Sequence, residues 1–274
     1  MIDVNGPQAQ YDAEERCLKI ARTAAKYEYT KNVIQEIIGD NIVEPTRSNT
    51  PLDFIIKDEN TGKPIGGIEH FYIGLIYENN SENKVSLKSV TKKHIETLKT
   101  IYNSYEAVEN PIELHNASNE LNKMLCGAIN DMKRFKYKQY IKQFNYQAQN
   151  HFRKIQNYCK TANCNPDNIV FLIEIETPNS CKWNVMTVAP QKISELPHSN
   201  FPITQDIIDI LKSGRKYGIR NIILVIHDTF GSKSDMIYAF DVQNIEESCQ
   251  RQQIVLYECF APKPLIGTLM CAEY

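Results

Sequence analysis

The stretch "TPLDFIIKDENTGKPIGGIEHFYIGLIY", residues 50–77, sets two apolar runs around the spacer "DENTGKP". The Asp, Asn, Gly and Pro of the spacer are turn residues, so the stretch predicts two strands of a hairpin or meander. Each strand carries one acid, Asp53 in the first and Glu69 in the second. A carboxylate inside a strand must face water or find a partner, because an unpaired buried charge costs several kcal/mol or forces protonation. Two carboxylates converging from neighbouring strands meet that demand by binding a hard divalent cation through oxygen. The alternative is a solvated sheet face, or pairing with lysines. Strand alternation sends His70 to the face opposite Glu69, unless the Gly66-Gly67 pair introduces a bulge.

Outward from this hairpin, apolar residues from Cys17 to Ile38 recur at helical spacing, which predicts one long helix or two consecutive helices over residues 12–38, stopped by Gly39-Asp40. "NIVEP" at 41–45 reads as a further short strand. From about 91 to 160 the pattern is helical, with Leu121, Met124, Leu125, Ala128, Ile129, Met132 and Phe135 on one stripe. "IVFLIEIE" at 169–176 is a buried strand, a Pro-rich loop follows, and "ITQDIIDILKSGRKYG" at 203–218 is a helix closed by glycine. It leads into the apolar strand "IRNIILVIHD" at 219–228, so a parallel pair with a crossover is expected. "MIYAFDV" and "QIVLYECF" are expected to complete the core. The expected organisation is a single α/β domain over 1–274, a mixed central sheet flanked by helices, with a helical insertion over 91–165.

The chain has 274 residues, 42% of them hydrophobic and 23% charged, and a net charge of -2. That composition suits one folded core and gives no bulk positive charge with which to find nucleic acid. The apolar runs are too short to cross a bilayer and the first residues lack a basic-then-apolar pattern, so a cytoplasmic location is expected. Eight cysteines lie scattered without paired short spacings and read as reduced packing residues; a zinc site from Cys159, Cys164 and Cys181 is the weaker alternative.

A leading helix, a meander carrying "PLD" and then "GGIEHF", and a later helix and strand resemble the PD-(D/E)XK nuclease superfamily, the restriction-endonuclease-like fold. The resemblance covers roughly residues 12–77 and 165–228. It implies a Mg²⁺- or Mn²⁺-dependent hydrolase of phosphodiester bonds in DNA, of the kind found in phage defence and mobile-element biology. By resemblance Asp53 and Glu69 are metal ligands and catalytic acids, and Glu14, on the core side of the first helix, is a third ligand. The family's lysine falls at Phe71 in "Glu69-His70-Phe71". Its role could pass to His70, to Lys57, or to a basic residue from the helical region. Otherwise the fold is catalytically inactive and binds nucleic acid or a protein partner.

One region has the charge for such a partner. Between Asp131 and Asp167 there is no acid, while Lys133, Arg134, Lys136, Lys138, Lys142, Arg153 and Lys154 all occur there, interleaved with Tyr137, Tyr140, Tyr146 and Tyr158. Lysine and arginine neutralise phosphates, and tyrosine stacks on bases. The plainer alternative is a solvated helix whose tyrosines cover the core.

Overall fold

The computed structural model describes residues 7–46, 50–74, 76–78, 84–86, 119, 135–177, 181–188, 190–197, 200–228 and 235–264. Helices α1 (Pro7–Thr23) and α2 (Glu28–Ile37) precede the strands β1 (Ile42–Pro45), β2 (Phe54–Lys57) and β3 (Pro64–Ile73). A short ribbon follows, β4 (Ile76–Glu78) and β5 (Lys84–Ser86). After it come α3 (Tyr137–Phe152), α4 (Ile155–Ala162), β6 (Ile169–Thr177), β7 (Cys181–Thr187), β8 (Ile193–Leu196) and α5 (Gln205–Lys212). The elements end with β9 (Asn221–Asp228), β10 (Met236–Asp241), α6 (Ile245–Arg251) and β11 (Tyr257–Pro264). The stripe from Leu121 to Met132, together with Lys133 and Arg134, lies outside the described residues.

Six strands form the main sheet in the order β1-β2-β3-β6-β9-β10. The first three are an antiparallel meander, β6 and β9 join parallel, and β10 closes antiparallel. This is the mixed α/β sheet expected from the hydrophobic pattern. The parallel strands sit at its centre, where both faces are covered and side chains must be apolar throughout. In β6, Ile169 to Ile173 and Ile175 are all fully buried, and the one polar residue among them is Glu174 at 1% exposure.

The two faces carry separate cores. On one, Cys17, Leu18, Ala21, Ile34 and Ile38 of the leading helices and the residue after α2 meet Phe54, Ile56, Ile68, Val170, Leu172, Ile223 and Val225. On the other, Tyr140, Phe144, Ala148 and Phe152 of α3 meet Phe71, Ile73, Phe171 and Ile173. The i, i+4 spacing of these α3 residues is what makes one continuous stripe. Each aliphatic or aromatic side chain buried in this way contributes about 1.5–3 kcal/mol.

Of the two arrangements expected for the leading helical stretch, the structure has two consecutive helices, interrupted at residues 24–27. Two local readings differ from the structure. The Pro-rich loop after β6 contains two strands, β7 and β8, with Trp183 and Val185 facing the core at a period of two. The last strand, read as part of the main core sheet, pairs instead with β7 in a three-stranded sheet β11-β7-β8. A cluster of Phe135, Tyr140, Trp183, Phe201 and Phe260 fastens this second sheet to α3. Among the described residues no helix is long and apolar enough to cross a membrane.

The glycine pair in β3 is needed for close approach. A Cβ on Gly66 would lie 2.6 Å from the backbone oxygen of Asn168, and one on Gly67 would lie 2.6 Å from Leu52 Cδ1. A backbone oxygen cannot yield as a leucine methyl can. Gly66→Ala is therefore expected to cost about 3 kcal/mol and Gly67→Ala about 1 kcal/mol in urea unfolding. Equal costs, or none, would show that β3 does not run this close to its neighbours.

Candidate metal and active site

The site is built around residues 69 and 70 of β3, which lies between β2 and β6. Asp53 occupies the bend just before β2 and is fixed by its own backbone. Its carbonyl accepts from Thr46 N–H at 2.8 Å and its N–H donates to Ile68 O at 3.2 Å. Its carboxylate Oδ2 accepts the backbone N–H of His70 at 2.7 Å. The acid from one arm of the hairpin is thereby locked to the other arm, one residue past Glu69.

Glu69 points to the α3/α4 face and is 5% exposed. Its Oε1 contacts His151 Nδ1 at 2.7 Å and accepts from Tyr158 O–H at 2.8 Å. Its Oε2 is buried and has no hydrogen-bond partner. Burial pushes the Glu69 carboxyl up to about 7, and the neighbouring Glu14 adds to the rise, while the Tyr158 hydrogen bond and the charge of Lys154 oppose it. Burial likewise holds His151 down at about 4, with the positive charge of Lys154 acting in the same direction. Both shifts favour neutral forms, so the Glu69–His151 contact is a hydrogen bond rather than a simple ion pair.

Asp53 is also pushed up to about 7, first by burial and then by the negative charges of Glu69 and Glu14. Glu14, 4% exposed on α1, is raised by burial, with Gln10 donating to its Oε1 at 2.8 Å. The structure thus brings Glu14, Asp53 and Glu69 within one another's field. Carboxylates so placed repel, and one buried oxygen among them is unsatisfied. Among the described residues, however, the ligand atoms that lie within 4.8 Å of one another are those of Cys17, His70 and Glu174, so Glu14, Asp53 and Glu69 are not drawn together to that spacing. Oxygen donors suit Mg²⁺ or Mn²⁺, and these three acids would have to close up to share one ion.

His70 takes the opposite face from Glu69, as alternation demands. β3 pairs with β6 in unbroken register from Gly67 to Ile73, and the irregularity in the β2/β3 ladder lies between Ile56 and Lys57, away from residues 69–71. There His70 Nε2 meets Glu174 Oε2 at 2.7 Å, and Glu174 Oε1 meets Arg16 Nη2 at 3.3 Å. Lys57 pairs with Glu44 on the neighbouring strand and is committed there. Phe71, where the resemblance expects a lysine, is 5% exposed and stacks on His151 with ring centroids 4.3 Å apart and planes 11° apart. The basic side chain bonded to Glu69 is thus His151, from the end of α3.

His151, Tyr158, Glu174 and Arg16 did not emerge from the sequence reading. Glu174 had a signal: it is an acid inside the apolar run "IVFLIEIE", subject to the same burial argument as Asp53 and Glu69. His151 and Tyr158 had none, since their role depends on which helix face meets β3. Of the basic residues, Lys136, Lys138, Lys142, Arg153 and Lys154 are exposed. Tyr140 and Tyr158 are fully buried, so these two tyrosines cover core and cannot stack on bases. Tyr137 donates to Asp206 Oδ2 at 2.6 Å, and Tyr146 remains 61% exposed.

The raised carboxyls have a thermodynamic consequence. Asp53 and Glu69 bind protons more tightly folded than unfolded, so each withdraws stability as pH rises from about 4 through 7; His151, held low, works in the opposite sense from about 4 to 6.5. Asp53→Asn removes one withdrawing group. In metal-free buffer it is expected to gain about 1–3 kcal/mol relative to wild type on going from pH 5 to pH 8. A difference independent of pH would mean that Asp53 is not raised. Phe71→Lys would place an ammonium in a stacked, buried position, and a loss of about 3 kcal/mol or more without gained activity is expected from thermal melts and cleavage assays.

Compared with known proteins, the chain matches no family model, and no curated sequence or solved structure shows significant similarity to it.

Proposed function

We propose that the chain is a divalent-metal-dependent phosphodiester hydrolase of restriction-endonuclease-like fold that acts on DNA, with Glu14, Asp53 and Glu69 as the carboxylates that hold Mg²⁺ or Mn²⁺. The observation that carries this reading is the second oxygen of Glu69, buried and without a partner in the field of two other acids. A bound ion would draw these carboxylates together, lower the energy of their charged forms and polarise a phosphate or a water. The element order supports the fold assignment: a helix, a meander carrying both acids, and then parallel strands on one side of it.

His151 supplies the basic group in this reading. With Glu69 ionised by the metal, Nδ1–H donates to its carboxylate and the lone pair of the neutral ring stands on Nε2. The side chain is 19% exposed and is held flat against Phe71, so it is both reachable and oriented. Nε2 accepts a proton from the water that attacks phosphorus, the P–O bond to the leaving sugar oxygen breaks and that oxygen takes a proton from solvent water, while Glu69 steadies the imidazolium through Nδ1 until it returns its proton to solvent. Tyr158 fixes the Glu69 carboxylate for this task.

The second reading is a catalytically inactive fold that binds nucleic acid or a protein partner, and the buried Phe71 favours it. Cleavage of plasmid and single-stranded DNA in Mn²⁺ decides between them. Glu69→Gln and His151→Ala are each expected to reduce the rate by about 10²-fold or more while remaining folded. Wild type inert on every substrate would leave the binding fold. Full activity in both variants would remove the site assignment.

The exposed side chains of Lys138 and Lys142 lie one turn apart on α3, and Lys154 immediately precedes α4, close enough for its charge to act on Glu69. They suit backbone phosphates. Replacing all three by alanine is expected to lower the slope of log affinity against log salt by about 2–3 with little change in melting temperature. An unchanged slope would make this a solvated helix face.

A further inference from the structure

On the face of β3 opposite Glu69, three side chains of different donor type converge. Cys17 of α1, His70 of β3 and Glu174 of β6 each offer one ligand atom, and the three atoms lie within 4.8 Å of one another. Cys17 is 0% exposed, Glu174 1%, and the His70 side chain 7%. We propose that Cys17, His70 and Glu174 form a second metal site, distinct from the carboxylate site, that takes a borderline transition-metal dication such as Zn²⁺.

The donor set decides the class of ion. A thiolate with an imidazole selects zinc-like ions and is a poor home for Mg²⁺, which demands oxygen. The geometry is close to what such an ion needs. Bonds of about 2.0–2.3 Å place tetrahedral ligand atoms ~3.3–3.7 Å apart. His70 Nε2 and Glu174 Oε2 are now 2.7 Å apart, joined through a proton that an ion would displace. Side-chain rotation of about half an ångström would then open this pair to tetrahedral spacing. Arg16 engages the other oxygen of Glu174, which orients the carboxylate as outer partners of metal ligands commonly do. Three protein ligands leave a fourth position for water.

Such an ion would tie α1 directly to two strands. Glu14 lies one turn before Cys17 on the same buried face of α1, so the tie would also fix the height at which Glu14 is presented to Asp53 and Glu69. The proposal does not rest on the hydrolase reading, because neither Asp53 nor Glu69 is among its ligands.

Co²⁺ added to the reduced full-length chain in excess Mg²⁺ tests it, the Mg²⁺ keeping an oxygen-only site filled. A thiolate-to-cobalt charge-transfer band is expected in wild type and in Cys159→Ser, and its loss in Cys17→Ser, with affinity reduced by about 100-fold or more. Glu174→Gln, which keeps the thiol, should retain the band at affinity about 10-fold weaker or more, and it serves if Cys17→Ser fails to fold. The proposal is overturned if wild type shows no band, if the band survives in Cys17→Ser, or if Glu174→Gln binds Co²⁺ as wild type does.

Discussion

The hydrogen bond from the His70 backbone N–H to Asp53 Oδ2, 2.7 Å long, is the constraint on which the functional region depends. It extends the β2/β3 ladder by a side-chain contact just where the ladder ends, and so fixes an acid that would otherwise swing at a strand entrance. Everything else follows from β3 being an interior strand. Residue 69 must go to one helical layer and residue 70 to the other, and both must find polar partners in layers that are otherwise apolar.

The partners are distributed unevenly. Glu174 is met by His70 on one oxygen and Arg16 on the other. Glu69 is met twice on one oxygen, by His151 and Tyr158, and not at all on the second. A sheet selected only for stability has no reason to keep Asp53, Glu14 and Glu69 in mutual repulsion, since an apolar residue at any of these positions would relieve it. The proposed cation would offset that cost by neutralising the acids gathered there.

The main sheet was legible because its strands are strongly patterned. "NIILVI" and "IVFLIEI" could only be central strands, and the turn residues of 58–64 placed β2 beside β3. What failed depended on tertiary pairing. β7 shows the period of two at Trp183 and Val185, yet the flanking Pro178, Asn179 and Pro190 suggested loop, and nothing local told β11 to pair with β7 instead of the main sheet. The acids of the hairpin were legible for a physical reason, the cost of burial. The basic partner of Glu69 was not, because it comes from far away in sequence, and only the docking of α3 on β3 shows that His151 faces Glu69 while Tyr140 and Tyr158 turn inward.

The central claim is that Asp53 and Glu69 jointly hold a divalent cation, and calorimetric titration of Mn²⁺ tests it most directly. Wild type should bind Mn²⁺, and Asp53→Ala should bind at least about 10-fold more weakly while remaining folded. Equal binding by wild type and Asp53→Ala, or no binding by wild type, would contradict the account and leave the unsatisfied oxygen of Glu69 without the partner assigned to it.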